Sequence, residues 1–478
     1  MTSAHRWLIT FAIYALLSSS ALSQSRNVAL LGRYDPGSRG SDIWGYVDPA
    51  TGKEYALACA ADGTHVLDCS DPTNPKLRGI IPTDNPGSSS NRWRDVKVYG
   101  RYAYIVSEAH GGMQIVDLTD PDQPRKVRTW GSSLWSSTHN IAMDFENGVA
   151  YACGTNNGMH VIDVKTNPTN PTRIAVYSTA YVHDLAIQNG VAHTAEINSN
   201  RYTILDVTGL PSFSRLSSVV SAGRSSCHSI WPSRDNEIVA ICHETSGGEL
   251  VIYDVRNPRI PTFLSKYQTG GRSAIVHNPM LVDRVCHISW NTEGYQAMDL
   301  SDPSAPVRVG YYDTWSGSSA GFEGVWGIYA GQPSGVIYAM DRSSGFFAFK
   351  PKCTVVRYGE PTGGGTEPAI YPFGAAWAGN QNYRIDIEGA ASSASGALFL
   401  GTGSASAPLL GVEVLVDLSG PYVAVPVTAD AGGTAKVPLP IPDPVISGRL
   451  FAQGVLFDPT AAQGISATQG IQLDLFVR

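Results

Sequence analysis

The chain repeats one unit seven times, and this repetition limits its possible folds more than any other feature. IWGYVD begins at Ile43, WRDVKVY at Trp93, THNIAMD at Thr138 and VHDLAIQ at Val182. CHSIWPS follows at Cys227, VHNPMLV at Val276 and VWGIYA at Val325. The second residues align as Trp44, Arg94, His139, His183, His228, His277 and Trp326, with successive spacings of 50, 45, 44, 45, 49 and 49. Each copy continues into an apolar run such as YAYIVSE, a polar or glycine-containing loop, and a third run such as GMQIVDL or LVIYDV. A proline-bearing turn (TDPDQP, TNPTNP, RNPRIP) and a short fourth run complete it. Four strands at this period are expected of a β-propeller blade, so the chain is predicted to be all-β with a seven-bladed propeller.

The seventh copy has VWGIYA, GVIYAMD and GFFAFKP but no fourth run. VALLGRYDPG, from Val28, resembles the fourth-strand segments and precedes the first copy. The N-terminal segment is therefore expected to complete the last blade and remove an open sheet edge. Asn189-Gly190 between two apolar strands predicts a two-residue hairpin turn. The aspartates ending the third strands (Asp68, Asp117, Asp163, Asp206, Asp254, Asp299) are expected to accept backbone N–H groups of the following turn.

The third strands look like LVIVD repeats, and the whole set resembles the choice-of-anchor B family of exported bacterial proteins. SDIWGY at Ser41, WRDVKVY at Trp93, YAYIVSEAHGGMQIVDLTDP from Tyr102 and HISW at His287 carry the resemblance, which covers about Asn27 to Cys353. It implies a secreted or surface β-propeller and no established reaction.

The first residues, MTSAHRWLITFAIYALLSSSALSQS, place Arg6 before an apolar run from Trp7 to Leu17, then Ala21-Leu22-Ser23. Residues 1–23 read as a signal peptide cleaved near Ser23-Gln24, which would put the mature chain outside the cytoplasm, secreted or at the cell surface. No later segment is long and apolar enough to span a bilayer. A net charge of −7 gives no footprint for nucleic acid. The propeller is assigned to residues 24–353 and a Gly/Pro-rich linker to 354–368. Residues 369–478, with alternating runs such as NYRIDIEG and GVEVLVDL, are assigned to a small β-sandwich resembling modules that close secreted bacterial proteins. Of seven cysteines, Cys227 and Cys242 flank the turn SRDN, and their sum centres that hairpin between Arg234 and Asp235. They are read either as a facing disulfide pair or as two buried thiols.

Strand direction alternates within a blade, so the start of each first strand meets the end of each second strand at one rim of the central channel. The second-strand ends form the column Cys59, Glu108, Gly154, Glu196, Glu244, Trp290 and Asp341. A turn centred on Asn189-Gly190 pairs residues summing to 379, which makes His183 and Glu196 neighbours. One rim is thus predicted to gather His139, His183, His228 and His277 with Asp95, Glu108, Glu196 and Glu244. Neutral imidazoles with carboxylates are a ligand set for a divalent transition metal. The alternative is a structural ring in which each histidine hydrogen-bonds the next blade's backbone. Ring geometry sets four histidines on consecutive blades apart from a common point unless the wedge is tight. Rim aromatics such as Trp93, Trp135, Tyr181 and Trp290 either stack on ligands or fill blade interfaces.

Three functions follow. One is an exported binding or scaffold protein for a cell-surface protein or polysaccharide. Another is a metal-dependent oxidoreductase or hydrolase built on the histidine rim. The third is a structural envelope component.

Overall fold

The computed structural model describes residues 24–271, 273–317 and 321–478; the predicted signal peptide, residues 1–23, lies outside the described residues. The described chain is built from strands, with one 3-10 turn at Ser89–Arg92. No helix among the described residues is long and apolar enough to cross a membrane.

Residues 25–351 form seven antiparallel sheets, here called blades. Blades 1 to 6 span residues 40–82, 94–130, 140–177, 184–220, 227–267 and 279–312. Blade 7 consists of Val325–Tyr329, Ile337–Asp341 and Gly345–Pro351. Its fourth strand is Val28–Tyr34, paired antiparallel to Gly345–Pro351, so the N-terminal segment closes the last sheet as the sequence predicts. A further short strand, Ser25–Arg26, extends blade 6 along Val307–Tyr312. The first strand of each blade contacts the first strands of both neighbours, and blade 7 returns to blade 1. The ring is therefore closed into a β-propeller, with first strands around the axis and partly exposed fourth strands outside.

Alternation along the second and third strands supplies apolar side chains to both faces of each sheet. The core clusters accordingly lie between blades: Tyr104, Ile115 and Met113 of blade 2 pack with Ile141, Ala150 and Ile162 of blade 3. Trp135 and Trp290 belong to such interfaces, buried at 3% and 0% exposure. Each third-strand aspartate accepts the N–H two residues on, from Ser70, Thr119, Lys165, Thr208, Arg256 and Ser301, at 2.7–3.0 Å. Asn189 and Gly190 have φ of +50° and +71°, the left-handed pair that a type I′ hairpin turn requires. The blade 4 strands pair in the predicted register, with Asp184 opposite Ala195.

The blade 5 hairpin departs from its predicted register. Ser229 pairs with Cys242 and Cys227 with His243, with a β-bulge at His228. Cys227 faces the blade 4 side, packed with Tyr202 and Ile204, whereas Cys242 faces blade 6, packed with Cys286 and Ile288. The two are free thiols on opposite faces of one sheet, and no disulfide joins them. A bulge also moves the first blade. Its first strand is Gly40–Val47 with a register shift between Gly40 and Ile43. Ser41, not Trp44, therefore takes the position of the histidines, one residue before Asp42. Trp44 lies deeper, against Phe145 and Trp231.

After the propeller, Val356–Tyr358 falls inside the predicted linker but is a strand, paired with Gly470–Leu475. A six-stranded sheet and a three-stranded sheet of Ala369–Phe373, Arg384–Glu388 and Ala435–Pro438 enclose a core of Ile370, Ile385, Leu398, Leu456 and Ile471. This unit docks on the propeller through Asp299 of blade 6. Besides capping its own turn, the Asp299 carboxylate accepts Ala375 N (2.9 Å), Trp377 Nε1 (2.8 Å) and Asn380 Nδ2 (3.0 Å). Asp299 is 2% exposed, and removing it takes the acceptor from Ala375 N–H and from the Trp377 indole N–H, while Asn380 Nδ2 keeps its bond to the Ala375 carbonyl (2.9 Å). Asp299→Ala is expected to cost about 3 kcal/mol or more in chemical denaturation, against about 1 kcal/mol for Asp206→Ala, which removes only a turn cap. Equal losses would contradict the docking role.

Candidate functional site

Four consecutive blades bring His139, His183, His228 and His277 to one mouth of the channel. Neighbouring imidazole centroids are 4.5, 4.3 and 4.5 Å apart, and Trp326 of blade 7 continues the row 3.7 Å from His277. Trp326 meets Trp93 at 5.0 Å, and Trp93 lies 6.3 Å from His139, which completes an aromatic collar. Gly154 makes room for this collar: a Cβ there would stand 2.4 Å from the Cβ of His139.

The Nδ1–H groups form a relay from blade to blade. His183 donates to the carbonyl of His228 (3.1 Å), His228 to that of His277 (3.2 Å), and His277 to that of Trp326 (2.8 Å). The carbonyl acceptors fix Nδ1 as the protonated nitrogen. Burial lowers the pKa of all three rings well below the ordinary imidazole value, so they are neutral. Each Nε2 is then a lone pair. Those of His228 and His277 are buried without a hydrogen-bond partner among the described residues.

His139 breaks the relay. Its Nδ1 turns to Glu108 Oε1 at 2.5 Å, and Asn140 Nδ2 takes over the bond to the His183 carbonyl (3.2 Å). Burial opposes charge on His139, but the hydrogen bond and charge of Glu108 prevail and raise its pKa. His139 is thus the protonatable member of the four.

Glu244 lies between two of the neutral rings. Its carboxylate oxygens are 3.4 Å from His228 Nε2 and 3.5 Å from His277 Nε2. Lone pairs face lone pairs across these gaps, so the contact is repulsive unless a proton or a cation enters. Burial pushes the Glu244 carboxyl up to about 7. Two trios, His139/His183/His228 and His228/Glu244/His277, each bring their ligand atoms within 4.8 Å of one another. Tetrahedral ligation at 2.0–2.1 Å sets donors about 3.3 Å apart, close to the separations of Glu244 from His228 Nε2 (3.4 Å) and from His277 Nε2 (3.5 Å).

The remaining predicted residues sit elsewhere. Glu108 stands behind His139 as its orienting carboxylate. Asp95 is one residue deeper along its strand, and Ile141 N (2.8 Å), Val96 N (2.6 Å) and Lys97 Nζ (2.7 Å) satisfy its carboxylate. Glu196 follows His183 in register, as expected, but its carboxylate accepts Ser199 Oγ at 3.0 Å and makes no bond to the imidazole. The loop beyond the strand, at residues 197–200, turns back and supplies that hydroxyl.

Directly below the histidines is a second ring: Asp42, Asp95, Asn140, Asp184, Ser229 and Asn278. These residues line a cavity of about 230 Å3 that continues toward the opposite mouth. Ser229 Oγ donates to Asp184 (2.6 Å) and Asn278 Nδ2 to Asp42 (3.3 Å). Burial, reinforced by Asp95, pushes Asp42 up to about 8, and burial pushes Asp184 up to about 6. Only Asp95 of this ring was among the predicted ligands. The legible signal is the Asp, Asn or Ser that follows the aligned position in five of the seven copies; Asp42 joins them only through the bulge in blade 1.

The LVIVD repeat matches residues 92–129, 148–179 and 291–314, which lie in blades 2, 3 and 6. No curated protein matches the chain. The chain thus carries LVIVD repeats on a β-propeller, a fold that serves generic binding and scaffolding.

Glu244 yields a pH test on metal-free protein. Its folded pKa of about 7 exceeds its ordinary value of 4.5, so the fold opposes ionisation. That cost is full above the folded value and gone below the unfolded one. Glu244→Gln should therefore be more stable than the parent above pH 7, by up to about 3 kcal/mol, with the gap closing as pH falls toward 4.5. Denaturation in chelator at both ends of this range checks it; a gap independent of pH would contradict the assignment.

Proposed function

We propose that this chain is an exported β-propeller of the choice-of-anchor B type. In this reading it binds a divalent transition-metal ion at the histidine mouth of its channel and uses that face to hold a partner at the cell surface. The acceptor-on-acceptor contact of Glu244 with His228 and His277 carries the proposal. A cation among these three atoms turns the repulsion into ligation. The Nδ1–H bonds to backbone carbonyls already orient the rings and leave Nε2 free, as metal-binding imidazoles require. His183 lies beside the trio as a further neutral donor. Export is supported by the composition of residues 1–23, and the C-terminal unit is read as a β-sandwich module for attachment to envelope material.

A second reading, a metal-dependent hydrolase or oxidoreductase, is favoured by one observation. His139, held protonatable by Glu108, stands next to the neutral trio, where a proton donor would serve a reaction at the metal.

The test uses untagged mature protein, stripped with chelator and dialysed against Zn²⁺, with elemental analysis. One ion per chain is expected. Glu244→Gln should weaken binding at least tenfold, and His228→Ala/His277→Ala should abolish it, in variants shown by circular dichroism to be folded. No tightly held ion, or uptake unchanged in both variants, would overturn the proposal.

A further inference from the structure

The histidine mouth has a cationic arm that no acid pairs with. Arg342 follows the last residue of the second strand of blade 7. Its backbone is fixed between blades: its N–H donates to Gly324 (2.9 Å) and its carbonyl accepts from Gly40 (3.1 Å). The guanidinium carbon lies 4.4 Å from the ring centroids of both Trp93 and Trp326, the two indoles of the collar. Arg342 is 4% exposed, and its Nε and Nη1 have no hydrogen-bond partner among the described residues. It makes no ion pair there, although Glu244 and Glu323 are near enough to act on its charge. Glu323 is already engaged by Arg39 and Ser343.

A buried guanidinium with unpaired N–H groups is costly, and cation–π contact with two indoles offsets only part of that cost. Arg92 acts on the same point from the surrounding surface and adds to the positive potential, while Glu323 offsets the charge of Arg39. Trp326 links Arg342 to the trio: its ring centroid lies 4.4 Å from the guanidinium carbon and 3.7 Å from the His277 centroid. A small anion entering from the mouth would supply the missing acceptor.

We infer that the mouth binds a small carboxylate, one oxygen facing the metal trio and the other accepting from Arg342, with its apolar body against Trp93 and Trp326. The charges agree. A divalent ion with Glu244 and neutral imidazoles leaves one net positive charge, and Arg342 adds a second beside it. The inference rests on the metal reading for the first contact and on Arg342 alone for the second.

Isothermal titration of acetate into Zn²⁺-loaded and metal-free protein tests it, with inorganic phosphate as the comparison anion. Acetate should bind the Zn²⁺ form, with Arg342→Gln at least tenfold weaker and Zn²⁺ stoichiometry unchanged. Arg342→Lys keeps the charge but loses the planar donor set, and it should fall between the two. Loaded protein that binds acetate equally in all three, or in none, overturns the inference and leaves the metal reading standing. If Zn²⁺ does not bind but metal-free protein takes acetate and Arg342→Gln abolishes it, the metal reading falls and the Arg342 site stands. Phosphate binding tenfold tighter than acetate overturns the carboxylate assignment.

Discussion

Closing seven sheets around an axis forces each first strand to turn the same few residues toward a buried channel. Polar groups there need partners, and the next blade supplies many of them. The Nδ1–H relay from His183 through His228 and His277 to Trp326 is one solution to that constraint. The bond from Ile141 N to Asp95 and the bond from Ser229 to Asp184 are others, one level deeper. The histidines are therefore architectural through one nitrogen, and this commitment leaves the other nitrogen a lone pair at the mouth. The structural and ligand readings of the rim describe the two edges of the same imidazole.

The channel separates charge along its length. Its interior holds Asp42, Asp95 and Asp184 with Lys97, whose charge Asp95 and Asp42 stabilise against burial. Its histidine mouth carries Arg342, with Arg39 and Arg92 around it. The carboxylates of the interior favour a cation, and Arg342 at the mouth favours an anion. The trio at His228, Glu244 and His277 lies at the boundary. Glu244, pushed to about 7, is the carboxylate whose charge a cation there would restore.

Much of the fold was legible because the repeat imposes the same local chemistry many times. The closing strand at Val28–Tyr34, the Asn189-Gly190 turn and the six aspartate caps each follow from short-range pattern. The failures share a physical cause. β-bulges at Gly40–Ile43 and at His228 change register without any mark in the apolar pattern, so Trp44 was placed at the rim and Cys227 was set opposite Cys242. Val356–Tyr358 was hidden by composition, since its partner strand lies more than a hundred residues away. The four histidines and Glu244 were legible because they recur at the repeat period. Arg342 was not, because blade 7 alone carries it, and its meaning depends on the indoles of two different blades.

His183, His228 and His277 are neutral Nδ1–H tautomers whose Nε2 lone pairs face the channel mouth. Side-chain ¹⁵N NMR of histidine-labelled, metal-free protein reports this directly, because protonated and unprotonated ring nitrogens resonate far apart. Three rings should show a protonated Nδ1 and a bare Nε2, unchanged between about pH 8 and about pH 5.5, while an unperturbed imidazole titrates within that window. Three rings that carry the proton on Nε2, or that take up a second proton in that range, would contradict the account.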